Sequence, residues 1–389
     1  MIENNKLNIS RHGTFLSNLN LNHSQILIDL GNEIDLSLKK YNEKDIEILK
    51  KIKLSLKNHN ISENLNPTKE NNFNFSNQEF QWLSRSDKKL WLKYVIYRYK
   101  FKTYPPNYIE TDYPIYLLIE PTSVCNIRCI MCFQVDKSFS TKKNYMGFMD
   151  IDLFKKIIED AKKNDCHAIT LASRGEPTLH KKFDQMMQIL SDNQILDLKL
   201  NTNATVLNVE KIRGILKANF SEVVFSVDAG TKETYEKIRV MGKFDKIVEN
   251  IKLFNTIRAK EFPNSPTITR IAGVKVNNEQ DINQMNEFWS KLVDEVTIKE
   301  STPRWDTYNN EKNNETQPCL QLWHRMYIWY DGTVNTCDFD YKSFLSKGNI
   351  KYNSIKEIWK NYKYQEQRKE HLNNNRKKYT PCDRCSITI

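Results

Sequence analysis

The stretch Cys125-Asn126-Ile127-Arg128-Cys129-Ile130-Met131-Cys132 packs three cysteines into eight residues, with C-x3-C-x2-C spacing and no fourth cysteine close by. A closed structural zinc site takes four ligands, commonly in C-x2-C pairs. Thiolates at short, irregular spacing also hold iron–sulfur cages. Three protein ligands on a four-iron cage leave one iron open to a second molecule. The apolar run Ile115–Ile119 stands just before and ends in Glu120-Pro121. The cysteine loop is therefore expected to leave the C-terminal end of a buried strand.

Outward from this loop the chain alternates between two textures. Short apolar runs at 115–119, 168–172, 196–200, 222–227, 267–274 and 295–299 predict strands. Amphipathic segments near 151–164, 182–191, 208–218, 243–259 and 279–293 predict helices, the first capped by Asp150. Strands alternating with helices argue for an α/β fold with a parallel sheet and crossover helices. The ends of the early strands carry unusual groups: the cysteine triplet, then Arg174-Gly175-Glu176-Pro177, Asn201-Thr202-Asn203 and Ser226-Val227-Asp228. In β/α architectures ligand chemistry collects at the C-terminal ends of strands. No Gly-rich dinucleotide fingerprint follows any of them, which argues against a Rossmann domain.

The triplet, together with these strand ends, resembles the signature of the radical SAM enzymes. That resemblance implies a partial (β/α)6 TIM-like barrel. It implies a [4Fe-4S] cluster on Cys125, Cys129 and Cys132, with S-adenosylmethionine on the open iron. The coenzyme is cleaved reductively to a 5′-deoxyadenosyl radical, which takes a hydrogen atom from the substrate. Gly175-Glu176-Pro177 is similar to the family's GGEP-type motif, with Arg174 where a glycine often stands. The resemblance gives Gly175 and Glu176 to the methionine amino group, and a carboxylate is the apt partner for an ammonium. It puts Asn203 near the ribose and Phe133, directly after the last cysteine, near the adenine. It gives Ser226 and Arg239 to the methionine carboxylate, which a guanidinium can grip bidentately. No catalytic residue is assigned; Arg270, Arg304 and Tyr327 are candidates to face the substrate. His180 and Cys166 are expected to be structural.

Four more cysteines lie near the C-terminus: Cys319 and Cys337 flank Trp329-Tyr330-Asp331-Gly332-Thr333, and Cys382 and Cys385 form a C-x2-C pair. Aromatic strands around Asp-Gly predict a β-hairpin, and a helix is expected through Ile355–Glu366. Four thiolates suit zinc as well as an iron–sulfur cluster. The arrangement resembles the SPASM/twitch extension of radical SAM proteins, in its single-cluster form. This implies an auxiliary [4Fe-4S] cluster on Cys319, Cys337, Cys382 and Cys385, fully ligated and suited to electron transfer.

Residues 1–75 are rich in Asn, Lys and Ser. Asn42, with Asp45 three residues on, opens a helix over Glu43–Lys57. Asn60–Asn77 has linker composition, and a second helix is expected over Ser86–Phe101. The expected organisation is a helical N-terminal extension (1–110), a radical SAM core (111–305) and an auxiliary cluster domain (306–389).

With 28% charged residues and a mean hydropathy of −0.66, the composition is that of a soluble chain. No apolar run reaches the roughly 20 residues of a membrane helix. No signal pattern opens the chain, so a cytoplasmic location is expected. The net charge of +11 reads as Lys- and Asn-rich composition rather than as a nucleic-acid partner. The resemblance implies an electron donor such as flavodoxin or ferredoxin. The expected outcome is oxidation or epimerisation of a sugar- or cyclitol-like small molecule, with modification of a peptide or protein as the alternative. A non-enzymatic, zinc-stabilised binding module is the alternative of another class.

Overall fold

The computed structural model describes residues 8–11, 22–56, 73–302 and 304–385. Twelve strands are present among them: β1 Asn8–Arg11, β2 Tyr116–Ile119, β3 Arg128–Cys129, β4 Ala168–Leu171, β5 Asp197–Thr202, β6 Glu222–Ser226, β7 Arg239–Val240, β8 Ile268–Lys275, β9 Glu295–Glu300, β10 Arg325–Ile328, β11 Thr333–Asn335 and β12 Gly348–Asn349. Ten form one sheet in the order β1-β9-β8-β6-β5-β4-β2-β10-β11-β12. From β2 to β9 the pairings are all parallel and follow chain order, with helices between. This is the mixed α/β fold with a parallel sheet that the alternating texture predicts, in the partial-barrel form that the resemblance implies. Each barrel helix buries an apolar stripe on the sheet; the one over Ile151–Lys163 buries Leu153, Phe154, Ile157 and Ile158 behind its Asp150 cap.

The C-terminal hairpin extends this same sheet. Strand β10 pairs in parallel with β2, matching Met326 to Leu117 and Ile328 to Ile119, and β11 and β12 follow antiparallel. Gly332 sits at φ +85° in the hairpin turn, a conformation that L side chains rarely adopt.

The N-terminal region is helical: α1 His23–Ser37, α2 Glu43–Leu56, α3 Asn77–Arg85 and α4 Lys88–Thr103. Asn42 caps α2 through the Asp45 backbone N–H at 3.0 Å, as the spacing predicts. Two features depart from the sequence reading. First, α1 and α3 are helices that the sequence reading did not place, α1 in the Asn-, Lys- and Ser-rich segment and α3 at the end of the expected linker. Ser76 and Glu79 make a capping box that starts α3, and Asp87 caps α4 separately. The remainder of the expected linker, 60–72, lies outside the described residues. Second, the helix expected through Ile355–Glu366 is two helices, Ile355–Lys360 and Tyr362–Leu372. Asn361 is extended between them, and its side chain caps the second. Helix α4 lies against the N-terminal ends of the strands, where the Tyr97 hydroxyl donates to Asp197 at 3.2 Å. That end of the barrel is thereby covered, opposite the rim carrying the cysteines.

Candidate functional site

A cavity of about 480 Å³ opens at the C-terminal ends of the strands, walled in part by Cys125, Cys129 and Cys132. The cysteine loop is tied down on both flanks. On one side, Gly175 packs so closely that an added Cβ would lie 2.3 Å from the Thr122 carbonyl oxygen and 2.5 Å from that of Val124. Only glycine fits there, and the next N–H, of Glu176, donates to Val124 at 2.9 Å. On the other side, the short ribbon of β3 and β7 pairs Cys129 with Arg239. Cys129 is buried and Cys125 and Cys132 are half-buried. Burial pushes the thiols of Cys125 and Cys129 up to about 12. Thiolates form at such positions only when a cation supplies the compensating charge, as metal ligation does.

Glu176 is the best-defined polar group in the wall. It is 3% exposed. Its carboxylate accepts from the Thr202 hydroxyl at 2.7 Å, the Asn203 N–H at 2.6 Å and the Thr178 N–H at 3.1 Å. No cation pairs with it among the described residues. Burial raises its pKa above the ordinary carboxylate value, against those hydrogen bonds. A buried, oriented carboxylate without a counter-ion is a receptor for an ammonium group.

Asn203 turns toward the cysteine loop. Its Nδ2 donates to Asn126 Oδ1 at 3.0 Å and approaches Cys125 Sγ at 3.9 Å, while Oδ1 accepts from the Thr205 N–H. Ser226 ends β6 half-buried in the cavity wall. Arg239 makes an ion pair through Nε with Asp228 at 2.7 Å and directs Nη1 toward Cys129 Sγ at 3.6 Å. Phe133 is buried, stacked on Tyr341 at 5.2 Å and edge-on to Phe139, and it too lines the cavity. His180 and Cys166 are structural: the imidazole bonds the Met149 carbonyl at 2.8 Å, and the thiol lies in the core near the Ile115 carbonyl.

Arg174, the departure from the family's glycine, has a definite place. It is 3% exposed and grips Glu120 with two hydrogen bonds of 2.7 Å. It also donates to the Tyr341 carbonyl at 2.9 Å and lies 4.3 Å over Trp329. It therefore joins the barrel to the C-terminal hairpin. The sequence contained one signal of this, an acid at the end of β2, but not its partner.

The C-terminal cysteines gather around the hairpin and the final turn. Burial pushes the thiols of Cys319, Cys337 and Cys382 above the ordinary value. The Cys319 N–H donates to His371 at 3.1 Å, and Gln367 Nε2 approaches Cys382 Sγ at 3.8 Å. Among the described residues no three His, Cys, Asp or Glu side chains converge tightly enough to ligate a single ion. Three soft thiolate donors at the open trio and four near the C-terminus are the donor sets of an open and of a fully ligated iron–sulfur cluster.

Residues 119–288 match the model of the radical SAM superfamily, and residues 319–386 match that of an iron–sulfur cluster-binding domain, SPASM. The chain is 36% identical over 114 residues to the tungsten-containing aldehyde ferredoxin oxidoreductase cofactor-modifying protein of Pyrococcus furiosus, covering 29% of this chain and 30% of that one. It is 30% identical over 187 residues to a cysteine-type anaerobic sulfatase-maturating enzyme of Clostridium novyi, covering 45% and 48%. The aligned parts thus span about half or less of these relatives. Among solved structures, SuiB of Streptococcus suis bound to its precursor peptide SuiA superposes with a TM-score of 0.54 at 15% identity, over 82% of this chain and 83% of that one. At that identity the likeness shows the fold. Among the described residues no helix is long and apolar enough to cross a membrane.

Proposed function

Because this chain belongs to the radical SAM superfamily and ends in an iron–sulfur cluster-binding domain, we propose that it cleaves S-adenosylmethionine reductively and oxidises a polar substrate through hydrogen-atom abstraction. When bound, the cluster at the open trio and the coenzyme supply a 5′-deoxyadenosyl radical, and a cluster on the C-terminal cysteines supplies an acceptor for the electron left on the substrate. Cys125, Cys129 and Cys132 hold the first group; Cys319, Cys337, Cys382 and Cys385 hold the second. Glu176 receives the methionine ammonium. Ser226 and the part of the Arg239 guanidinium not committed to Asp228 receive the carboxylate. Phe133 walls the adenine side, and Asn203 keeps the cysteine loop in place through Asn126. Flavodoxin or ferredoxin supplies the electron, in a reducing compartment such as the cytoplasm, where such thiols stay free.

The observation that carries this reading is the pairing of a cysteine trio with a buried, cation-free carboxylate across one cavity. For the substrate, the cavity wall also holds polar atoms with no partner among the described residues: Ser173 Oγ, Asn201 Oδ1 and Thr297 Oγ1. Buried polar groups seek hydrogen bonds, and a hydroxyl-rich small molecule, sugar- or cyclitol-like, would satisfy them. A peptide substrate is the second reading, favoured by the sulfatase-maturating relative and by the peptide-bound SuiB. The test is anaerobic reconstitution, reduction and assay for 5′-deoxyadenosine, with iron counted on the same sample. About eight irons are expected, for two four-iron clusters, and replacing any of the trio by alanine should abolish 5′-deoxyadenosine. A colourless protein carrying zinc, or unchanged 5′-deoxyadenosine formation in C125A, would overturn the assignment.

A further inference from the structure

Five cations line the cavity: Arg174, Arg239, Arg270, Lys299 and Arg304. Four are paired with a carboxylate. Arg174 is paired with Glu120, Arg239 with Asp228, Arg304 with Asp338, and Arg270 with Glu222 at 2.8 Å. Glu222 is also paired with Lys199 at 2.8 Å, so on that side one carboxylate serves two cations. Lys299 has no hydrogen-bonding or ion-pair partner among the described residues. Its side chain is exposed to the open cavity yet crowded by protein, and that crowding and the like charge of Arg304 lower its pKa from the ordinary lysine value. Two residues earlier on β9, Thr297 also lines the cavity, with its buried hydroxyl oxygen unpartnered.

The position of Lys299 separates it from the coenzyme amino acid. Glu176 follows β4, and Lys299 lies on β9. Strands β5, β6 and β8 stand between them, four interstrand spacings of about 4.8 Å along the sheet. The ammonium and carboxylate of a methionine moiety share one carbon. A ligand that gives its ammonium to Glu176 cannot bring its own carboxylate to Lys299. At neutral pH S-adenosylmethionine has no other anionic group. As coenzyme and substrate fill the cavity they displace water, and an ammonium left there without a partner is costly.

We propose that Lys299, with Thr297 beside it, anchors an anionic group of the substrate, a phosphate or a carboxylate. This rests on the proposed function and narrows its substrate class. A sugar phosphate or sugar acid fits the β8–β9 wall, whereas a free aminocyclitol, cationic at neutral pH, would meet Lys299 and Arg304 with like charge.

The test uses the reconstituted full chain loaded with S-adenosylmethionine and three probes on one carbon skeleton: glycerol 3-phosphate, glycerate and glycerol. Titration calorimetry on wild type is expected to show at least about tenfold tighter binding of one anionic probe than of glycerol, the gain from one charge-assisted hydrogen bond. Whichever anion binds tighter identifies the group as phosphate or carboxylate. K299Q should lose that preference and K299R should keep it, with coenzyme affinity measured on the same samples unchanged in both. Equal binding of all three probes by wild type, or an undiminished preference in K299Q, would overturn the assignment. Failure of the radical SAM reading is a separate result: wild type would then bind no coenzyme and release no 5′-deoxyadenosine.

Discussion

Arg174→Met tests whether the barrel and the hairpin are held together as described. In the folded chain Glu120 is 0% exposed, and among the described residues Arg174 is the only cation paired with it. Methionine keeps much of the volume but removes two 2.7 Å charge-assisted bonds to Glu120, the 2.9 Å bond to the Tyr341 carbonyl and the contact over Trp329. Glu120 would retain only the backbone donors of residues 174 and 330, at 3.1 and 3.3 Å. Breaking a buried pair by deleting one partner costs about 3–5 kcal/mol, because the surviving charge is left uncompensated. Domain stabilities are only about 5–15 kcal/mol in total, so the urea midpoint should fall by a large fraction of its value. Tryptophan fluorescence is a suitable probe, since Trp329 lies under the guanidinium. The double variant with Glu120→Gln removes the stranded charge and should recover about 2 kcal/mol or more relative to R174M. If R174M costs less than about 1 kcal/mol, or the double variant is no more stable than R174M, the pair does not join the two parts of the sheet.

Glu176→Gln should weaken coenzyme binding by about ten- to a hundredfold, the value of a hydrogen bond to a charged partner. Wild-type affinity should also fall as pH drops through the raised Glu176 pKa, because protonation removes the charge the ammonium needs; calorimetry on E176Q should show no such limb. The double substitution of Cys382 and Cys385 by alanine should take the iron content from about eight to about four per chain, and an unchanged count would remove these residues from the ligand set. Burial lowers the pKa of His167 to about 4. A depressed folded-state value means its contribution is fully present above about pH 6.5 and is lost as pH falls toward 4. Urea midpoints of wild type should therefore fall more steeply than those of H167Q across that window, by up to ~3 kcal/mol, and parallel curves would refute the assignment.

The strand and helix pattern of the barrel was legible because each element buries one face, so apolar period and polar strand ends mark it directly. All six parallel strands lie within two residues of where those runs predict them. The N-terminal helices were less legible. Helices α2 and α4 form where Glu43–Lys57 and Ser86–Phe101 were expected, but no helix was expected over α1 or α3. Helix α3 begins at a capping box inside a polar stretch, where composition outweighs a two-residue signal.

The cysteine spacings by themselves marked the candidate metal ligands, because a metal site requires particular donor atoms at short range and the chain must supply them locally; the chemistry came from the resemblance. Glu176 was legible only through the resemblance of Gly175-Glu176-Pro177 to the family motif, since the tripeptide alone reads as a turn. Tertiary structure alone decided that Arg174 pairs with Glu120, that Asn203 supports the cysteine loop, and that Lys299 is the cavity cation left without a carboxylate. Arg174 and Glu120 stand 54 residues apart in the chain, and Asn203 and Asn126 stand 77 apart. Long-range pairing of charge is set by sheet order and register, and neither is written in any local stretch of sequence.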